Sequence, residues 1–237
     1  MKTDVAIEAK DVEYIYPDGT VGISDVNLKI LEKERIAITG ANGSGKTTLL
    51  LLLSGLLKPH KGYVKVFGYE VNRKNTEQIR RSVGIVFQDP DDFLFNPTVR
   101  EELLYTPAQL DMPYEEAIEV AEKYAKIFGI DKLLDKPPLR LSGGEKKKVA
   151  LAAVMMLKPK ILILDEPTAN IDGKTRKRIV EMIEKFDGTL IIATHELDLI
   201  PKFANRVILL GMDRKMAVNG DLSILDDKKL LEEVGIV

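Results

Sequence analysis

The sequence predicts an α/β protein built on a mostly parallel sheet, and three observations carry that expectation. "ILILD" (161–165) and "TLIIAT" (189–194) are short apolar runs bounded by helical segments, the pattern of strands buried on both faces of a parallel sheet. The chain opens instead on β-rich runs, "VAIEAKDVEYIY", "VNLKI" and "RIAITG". Between Pro97 and Asp135 the character changes again. In "YEEAIEVAEKYAKIFGI", Ala117, Val120, Ala121, Tyr124, Ala125 and Phe128 recur at i, i+3, i+4 spacing, which predicts an amphipathic helix.

The remaining elements fall between these. "GANGSGKTTLLLLLSGLL" joins "RIAITG" to a helix whose leucines and small residues read as buried. Strands are expected at "YVKVFGYEV" and "VGIVFQ", and the α/β alternation returns after Ser142. "RVILL" and "KMAVNG" close the sheet, and "DDKKLLEEVGIV" reads as a terminal helix with Asp226 as its N-cap. The organisation expected is one domain: an α/β core from about 1–96 and 150–237, interrupted by a helical insertion at about 97–149.

With 237 residues, 45% apolar and 30% charged, the chain has the balance of a soluble, core-burying protein. Its formal charge of -2 offers no basic field for nucleic acid, and none is expected as a partner. It has no cysteine, which excludes disulfides, thiolate metal sites and a Cys nucleophile. Two histidines, His60 and His195, do not make a His-rich metal cluster. The longest apolar stretches are shorter than the roughly 18 to 20 residues a membrane span needs. Any membrane role is therefore expected to run through a partner, without direct insertion.

"GANGSGKT" matches G-x-x-x-x-G-K-[ST] between an apolar strand and a helix, the setting in which that pattern binds phosphate. Gly40, Ala41, Asn42, Gly43, Ser44 and Gly45 let successive N–H groups point at phosphate oxygens, and Thr48 follows on the helix. Lys46 is suited to the β- and γ-phosphates, and the Thr47 hydroxyl to Mg²⁺. "ILILDE" adds two acids at a strand tip, where open α/β sheets place ligands. Asp165 is assigned to Mg²⁺ and Glu166 to the attacking water. A third loop, "LSGGEKKKVA" (141–150), places two glycines at the start of a lysine-rich helix. It reads as a second anion site made of bare backbone amides. Lys146 to Lys148 are expected to form a solvated helix face rather than a partner contact.

In this order "GANGSGKT", "VFQ", "LSGGE", "ILILDEPTANID" and "TH" resemble the nucleotide-binding subunit of ABC (ATP-binding cassette) transporters over essentially the whole chain. The resemblance implies a P-loop NTPase cassette with an N-terminal antiparallel β subdomain. It also implies ATP and Mg²⁺ as ligands. Two cassettes then pack head to tail, so that Ser142, Gly143 and Gly144 contact the γ-phosphate held by a second subunit, identical or homologous. Tyr16 matches the aromatic that stacks on adenine, with Tyr14 as its rival. Gln88 matches the residue that touches Mg²⁺ and the attacking water. Asp172 matches the loop that communicates across the dimer, and His195 the residue that hydrogen-bonds the γ-phosphate. His60 has no such counterpart and reads as a loop residue. Glu145 and Lys148 depart from the commoner glutamine and arginine.

"VFQDPDDFLFNPTVREEL" (86–103) is similar to the ATPases of energy-coupling-factor importers. That resemblance implies transmembrane transporter subunits as partners and a place on the cytoplasmic face of the membrane. Phe93, Leu94 and Phe95 are then docking residues, with Asp91 and Asp92 available to a basic residue of the partner. The alternative is a soluble ABC ATPase serving a machine such as iron–sulfur cluster assembly.

Overall fold

The computed structural model describes residues 4–236. Strands β1 (Val5–Ile15), β2 (Val21–Leu31) and β3 (Arg35–Gly40) lead into helix α1 (Lys46–Leu53). Strands β4 (Lys61–Val66) and β5 (Tyr69–Glu70), helix α2 (Thr76–Arg80) and strand β6 (Val83–Val86) follow. Helices α3 (Val99–Gln109), α4 (Tyr114–Phe128) and α5 (Gly143–Met155) come next, then β7 (Ile161–Asp165) and α6 (Gly173–Glu184). The chain closes with β8 (Thr189–Ala193), α7 (Ile200–Phe203), β9 (Arg206–Leu210), β10 (Met216–Asp221) and α8 (Lys228–Glu233). These elements fall into two compact units, 1–83 with 160–165 and 186–237, and 84–159 with 166–185.

The first unit holds two sheets. Strands order as β2-β1-β4-β5 in an antiparallel sheet, and as β10-β9-β3-β8-β7 in the other. In the second sheet β3 pairs in parallel with both β8 and β9, and β8 pairs in parallel with β7. Ile36, Ile38, Ile163, Leu164, Ile191 and Ile192 are all fully buried, as strands covered on both faces require. Such runs cannot alternate apolar with polar, which is why they read as continuous hydrophobic stretches. The expected strand at "YVKVFGYEV" is instead two. Phe67 and Gly68 take φ of 47° and 81°, turning the chain so that Val66 pairs with Tyr69.

In the second unit α4 buries Ala117, Ala121, Ala125 and Phe128, while Val120 and Tyr124 are half-buried. Its apolar stripe is thus the one the spacing predicts. Gly129 ends it at φ 62°, in the left-handed conformation that suits glycine. At the end of the chain α8 is capped by Asp227, whose side chain accepts from the Leu230 N–H, and not by Asp226. Asp226 closes the preceding 3-10 turn, Leu222–Asp226, so the next acid takes the cap.

Candidate active site

Three adjacent parallel strands, β3, β8 and β7, end at one edge of the sheet. The glycine loop leaves β3, His195 lies two residues past β8, and Asp165 ends β7. This is the carboxyl edge at which open α/β sheets hold ligands. Across it, the Thr47 hydroxyl donates to the Asp165 carboxylate at 2.6 Å, joining two residues 118 positions apart. Asp165 is only 3% exposed, while His195 is exposed to solvent.

The loop itself has the form that binds phosphate. Gly43 and Gly45 hold φ of 81° and 99°, which side-chain-bearing residues rarely adopt. A Cβ on Gly45 would also lie 2.5 Å from the Gly22 carbonyl oxygen. Gly45 caps α1 with no side-chain hydrogen bond, and the first turn holds no acid. The first amides of α1 are therefore open toward an anion. The buried Ser44 hydroxyl has no hydrogen-bond partner among the described residues, which suits a ligand oxygen. Lys46 donates to the carbonyls of Gly40 and Ala41 at 2.8 and 3.0 Å. Tyr16 stands beside this loop, its hydroxyl sharing a 2.9 Å hydrogen bond with Thr48 Oγ1. Gly22 makes room for the pair, since a Cβ there would approach Thr48 to 2.7 Å and Tyr16 to 2.9 Å. Tyr14 meets Tyr16 edge to face, and His60 packs on Tyr14 and accepts from the Ile15 amide.

Among the described residues no group of three or more His, Cys, Asp or Glu forms a metal cage. The Thr47–Asp165 pair nevertheless fits Mg²⁺. That ion takes hard oxygen ligands and is held through one or two carboxylates together with substrate phosphates and water.

Gln88, Glu166, Ser142, Gly143, Gly144 and Asp172 belong to the second unit. Gln88 is exposed, two residues beyond β6. Glu166 is 5% exposed and holds φ at 46°, a strained conformation for a residue with a Cβ, costing on the order of 1–3 kcal/mol. Asp172 caps α6, accepting from the amides of Lys174 and Thr175 at 3.0 Å. Bonds from Thr175 and Lys174 hold its carboxyl below the usual range.

The start of α5 differs from the bare amides expected. Ser142 Oγ accepts from the Glu145 amide, and the Glu145 carboxylate accepts from the Ser142 amide at 2.8 Å and from its hydroxyl at 2.9 Å. This capping box satisfies the helix from within. The Ser142 bonds hold the Glu145 carboxyl below its usual range, with Lys148 and Lys136 adding to them.

The lysines that follow are not a solvated face either. Lys146 pairs with Asp91 of the Pro90–Asp92 turn, so Asp91 is already engaged. Lys147 is 6% exposed and donates to the carbonyls of Glu166 and Ala169 at 2.9 and 2.7 Å. One signal could have revealed it: Lys147, Ala150, Leu151 and Val154 share the i, i+3, i+4, i+7 face of α5 and are all buried. Of the expected docking residues, Leu94 is buried, Phe93 is half-buried against Phe87, and Phe95 is 68% exposed.

The sequence profile of the ABC transporter family matches residues 23–169. A chain of Archaeoglobus fulgidus, provisionally named an ABC transporter ATP-binding protein, is 54% identical over 231 residues, covering 98% of this chain and 97% of that one. The energy-coupling factor transporter ATP-binding protein EcfA of Methanothermobacter thermautotrophicus is 41% identical, covering 97% and 76%. Among solved structures, cbiO1 of Clostridium perfringens, described as part of the ABC transporter complex cbiONQ, superposes with a TM-score of 0.81 at 35% identity, covering 96% and 93%. A dimeric ATP-binding cassette in a post-hydrolysis state with ADP and Pi gives 0.82 at 29% identity, covering 91% and 98%. With the phosphate loop, the Thr47–Asp165 contact and these relatives together, the chain belongs to the ABC transporter family as an ATP-hydrolysing, ATP-binding subunit, similar to the ATPases of energy-coupling factor transporters.

Proposed function

We propose that this subunit powers solute import by an energy-coupling-factor-type transporter, working as one cassette domain that pairs head to tail with a second. The second cassette is another copy or a homologue, and transmembrane subunits supply the path. The protein then works on the cytoplasmic face of the membrane, bound there through its partners.

The residues divide the work as follows. The glycine loop and the amides of α1 take the phosphates of ATP, and Tyr16 stacks on the base. Lys46 turns its ammonium from the Gly40 and Ala41 carbonyls to the β- and γ-phosphates, exchanging neutral acceptors for charged ones. Thr47, Asp165 and Gln88 would hold Mg²⁺, which supplies charge neutralisation on the phosphates. Glu166 takes a proton from water, and His195 donates to the γ-phosphate. Ser142, Gly143 and Gly144 serve the nucleotide of the other cassette. Each site is then complete only in the pair, so ATP promotes association and its hydrolysis loosens it.

One observation carries the importer reading. Phe95 and Tyr105 form an exposed edge-to-face pair, ring centroids 5.0 Å apart, in and just beyond the "PDDFLFNPTV" loop. Buried Glu102 shapes that loop by accepting from the Phe95 and Asn96 amides at 3.0 and 2.9 Å. A buried carboxylate spent on presenting an aromatic outward supports a docking surface, and the relatives named for energy-coupling factor transporters agree with it. The double variant Asp92→Ala, Phe95→Ala should lose co-purification with the transmembrane subunits and lower transport about tenfold or more. Unaltered assembly and transport would end the importer reading. A native protein that never sediments with membranes would favour the soluble alternative.

A further inference from the structure

Lys147 holds a turn of the second unit at one left-handed residue, Glu166, and at the residue before the other, Asn170. Its ammonium is nearly removed from water, and a charge so placed persists only where other acceptors replace the solvent. Two of those acceptors are main-chain oxygens of one short turn, Glu166 O and Ala169 O. The turn is bounded by Glu166 at φ 46° and Asn170 at φ 59°, both in the left-handed region. The Glu166 carbonyl direction is set by ψ of Glu166. The Ala169 carbonyl belongs to the peptide that sets φ of Asn170. A single donor therefore fixes the backbone at each end. The Ala169 amide also donates to Glu166 O at 3.2 Å, closing the turn on itself, and Lys147 braces it from α5.

We propose that Lys147 is a positioning residue for hydrolysis. Through the carbonyls of Glu166 and Ala169 it holds the Glu166 carboxylate at the angle from which it accepts a proton from water. It also makes the helix that begins at Ser142 and the turn that carries Glu166 a single mechanical piece. Contact of an anion with the start of α5 thereby reaches Glu166 through one helical turn and one ammonium. The inference rests on the reading of Glu166 as the base.

The test uses the full chain and three variants. Lys147→Met keeps the apolar stem and removes the donors. At saturating ATP its kcat should fall about tenfold or more, while KM and the Kd for ATP stay within about twofold. Combined with Glu166→Gln it should add nothing to the loss of that variant, read as a single-turnover rate. Lys147→Gln keeps N–H donors and should lie between the Met variant and the wild type; it is read by the same criteria where Lys147→Met does not fold. A kcat within about twofold of wild type in the folded variants, or losses that multiply with those of Glu166→Gln, would overturn the inference. Glu166→Gln alone tests the underlying role: normal hydrolysis there removes Glu166 as the base. Stalled hydrolysis there beside a normal Lys147→Met removes only Lys147.

Discussion

Helices α1 and α5 both start in glycine-rich loops, yet one starts with open amides and the other with its own caps. Gly45 gives α1 no side-chain bond and no acid in the first turn, whereas Ser142 and Glu145 satisfy the start of α5 reciprocally. The same composition thus yields two kinds of helix start. At α1 the positive end of the helix is offered to whatever phosphate arrives. At α5 it already faces a carboxylate, and an incoming anion has to share the amides with Glu145 or move it. On the proposed function, the first loop would serve tight, private binding, and the second a contact that can be made and released.

The sharpest break in this comparison is Lys46→Ala, which removes the cation serving α1. Nucleotide affinity should fall about 100-fold, as expected for losing charge-assisted hydrogen bonds, and titration of bound nucleotide would measure it. Next comes a pair of glycine variants. Gly45→Ala forces a Cβ against the Gly22 carbonyl at φ 99° and should cost about 2 kcal/mol in denaturant unfolding. Gly143→Ala meets nothing within 4 Å and should change stability by less than about 0.5 kcal/mol. Loss of ATP-driven association in a Gly143→Ala protein of normal stability would place that glycine at the partner's nucleotide. The smallest effect belongs to Glu145→Gln, at under about 1 kcal/mol. Because the folded carboxyl sits below its usual range, its contribution is present at neutral pH and fades as pH falls through the depressed value. Melting temperatures of wild type and Glu145→Gln should therefore converge in acid, as pH falls below the ordinary glutamate range. A constant gap would show that the capping box does not depend on the charge.

Much of this was legible in the residues. The strands of the parallel sheet announced themselves because burial on both faces leaves no polar position, as in Ile161–Asp165. The glycine loop was legible because strand, loop and helix follow one another without a break. Less visible were features decided by direction rather than type. Three consecutive lysines look like solvent-facing residues, but successive residues on a helix point about 100° apart, and on the largely buried α5 the middle one faces inward. The "FG" at 67–68 is an unusual hairpin turn, since phenylalanine seldom takes positive φ, and the strand pattern runs on through it in the sequence. Glu145 was legible as a departure from the family pattern. Its carboxylate as a cap for the very serine expected to meet phosphate was not, because that needs the side-chain geometry.

The hydrogen bond between Tyr16 and Thr48 has one more consequence. Thr48 lies two residues after Lys46 on the same helix, so the ring proposed to meet the base and the amine proposed to meet the terminal phosphates are referenced to one short rod. The helix acts as a ruler. On the proposed roles, its regular rise holds the ring and the stem of the lysine at a fixed separation, which would gauge a ligand from base to last phosphate.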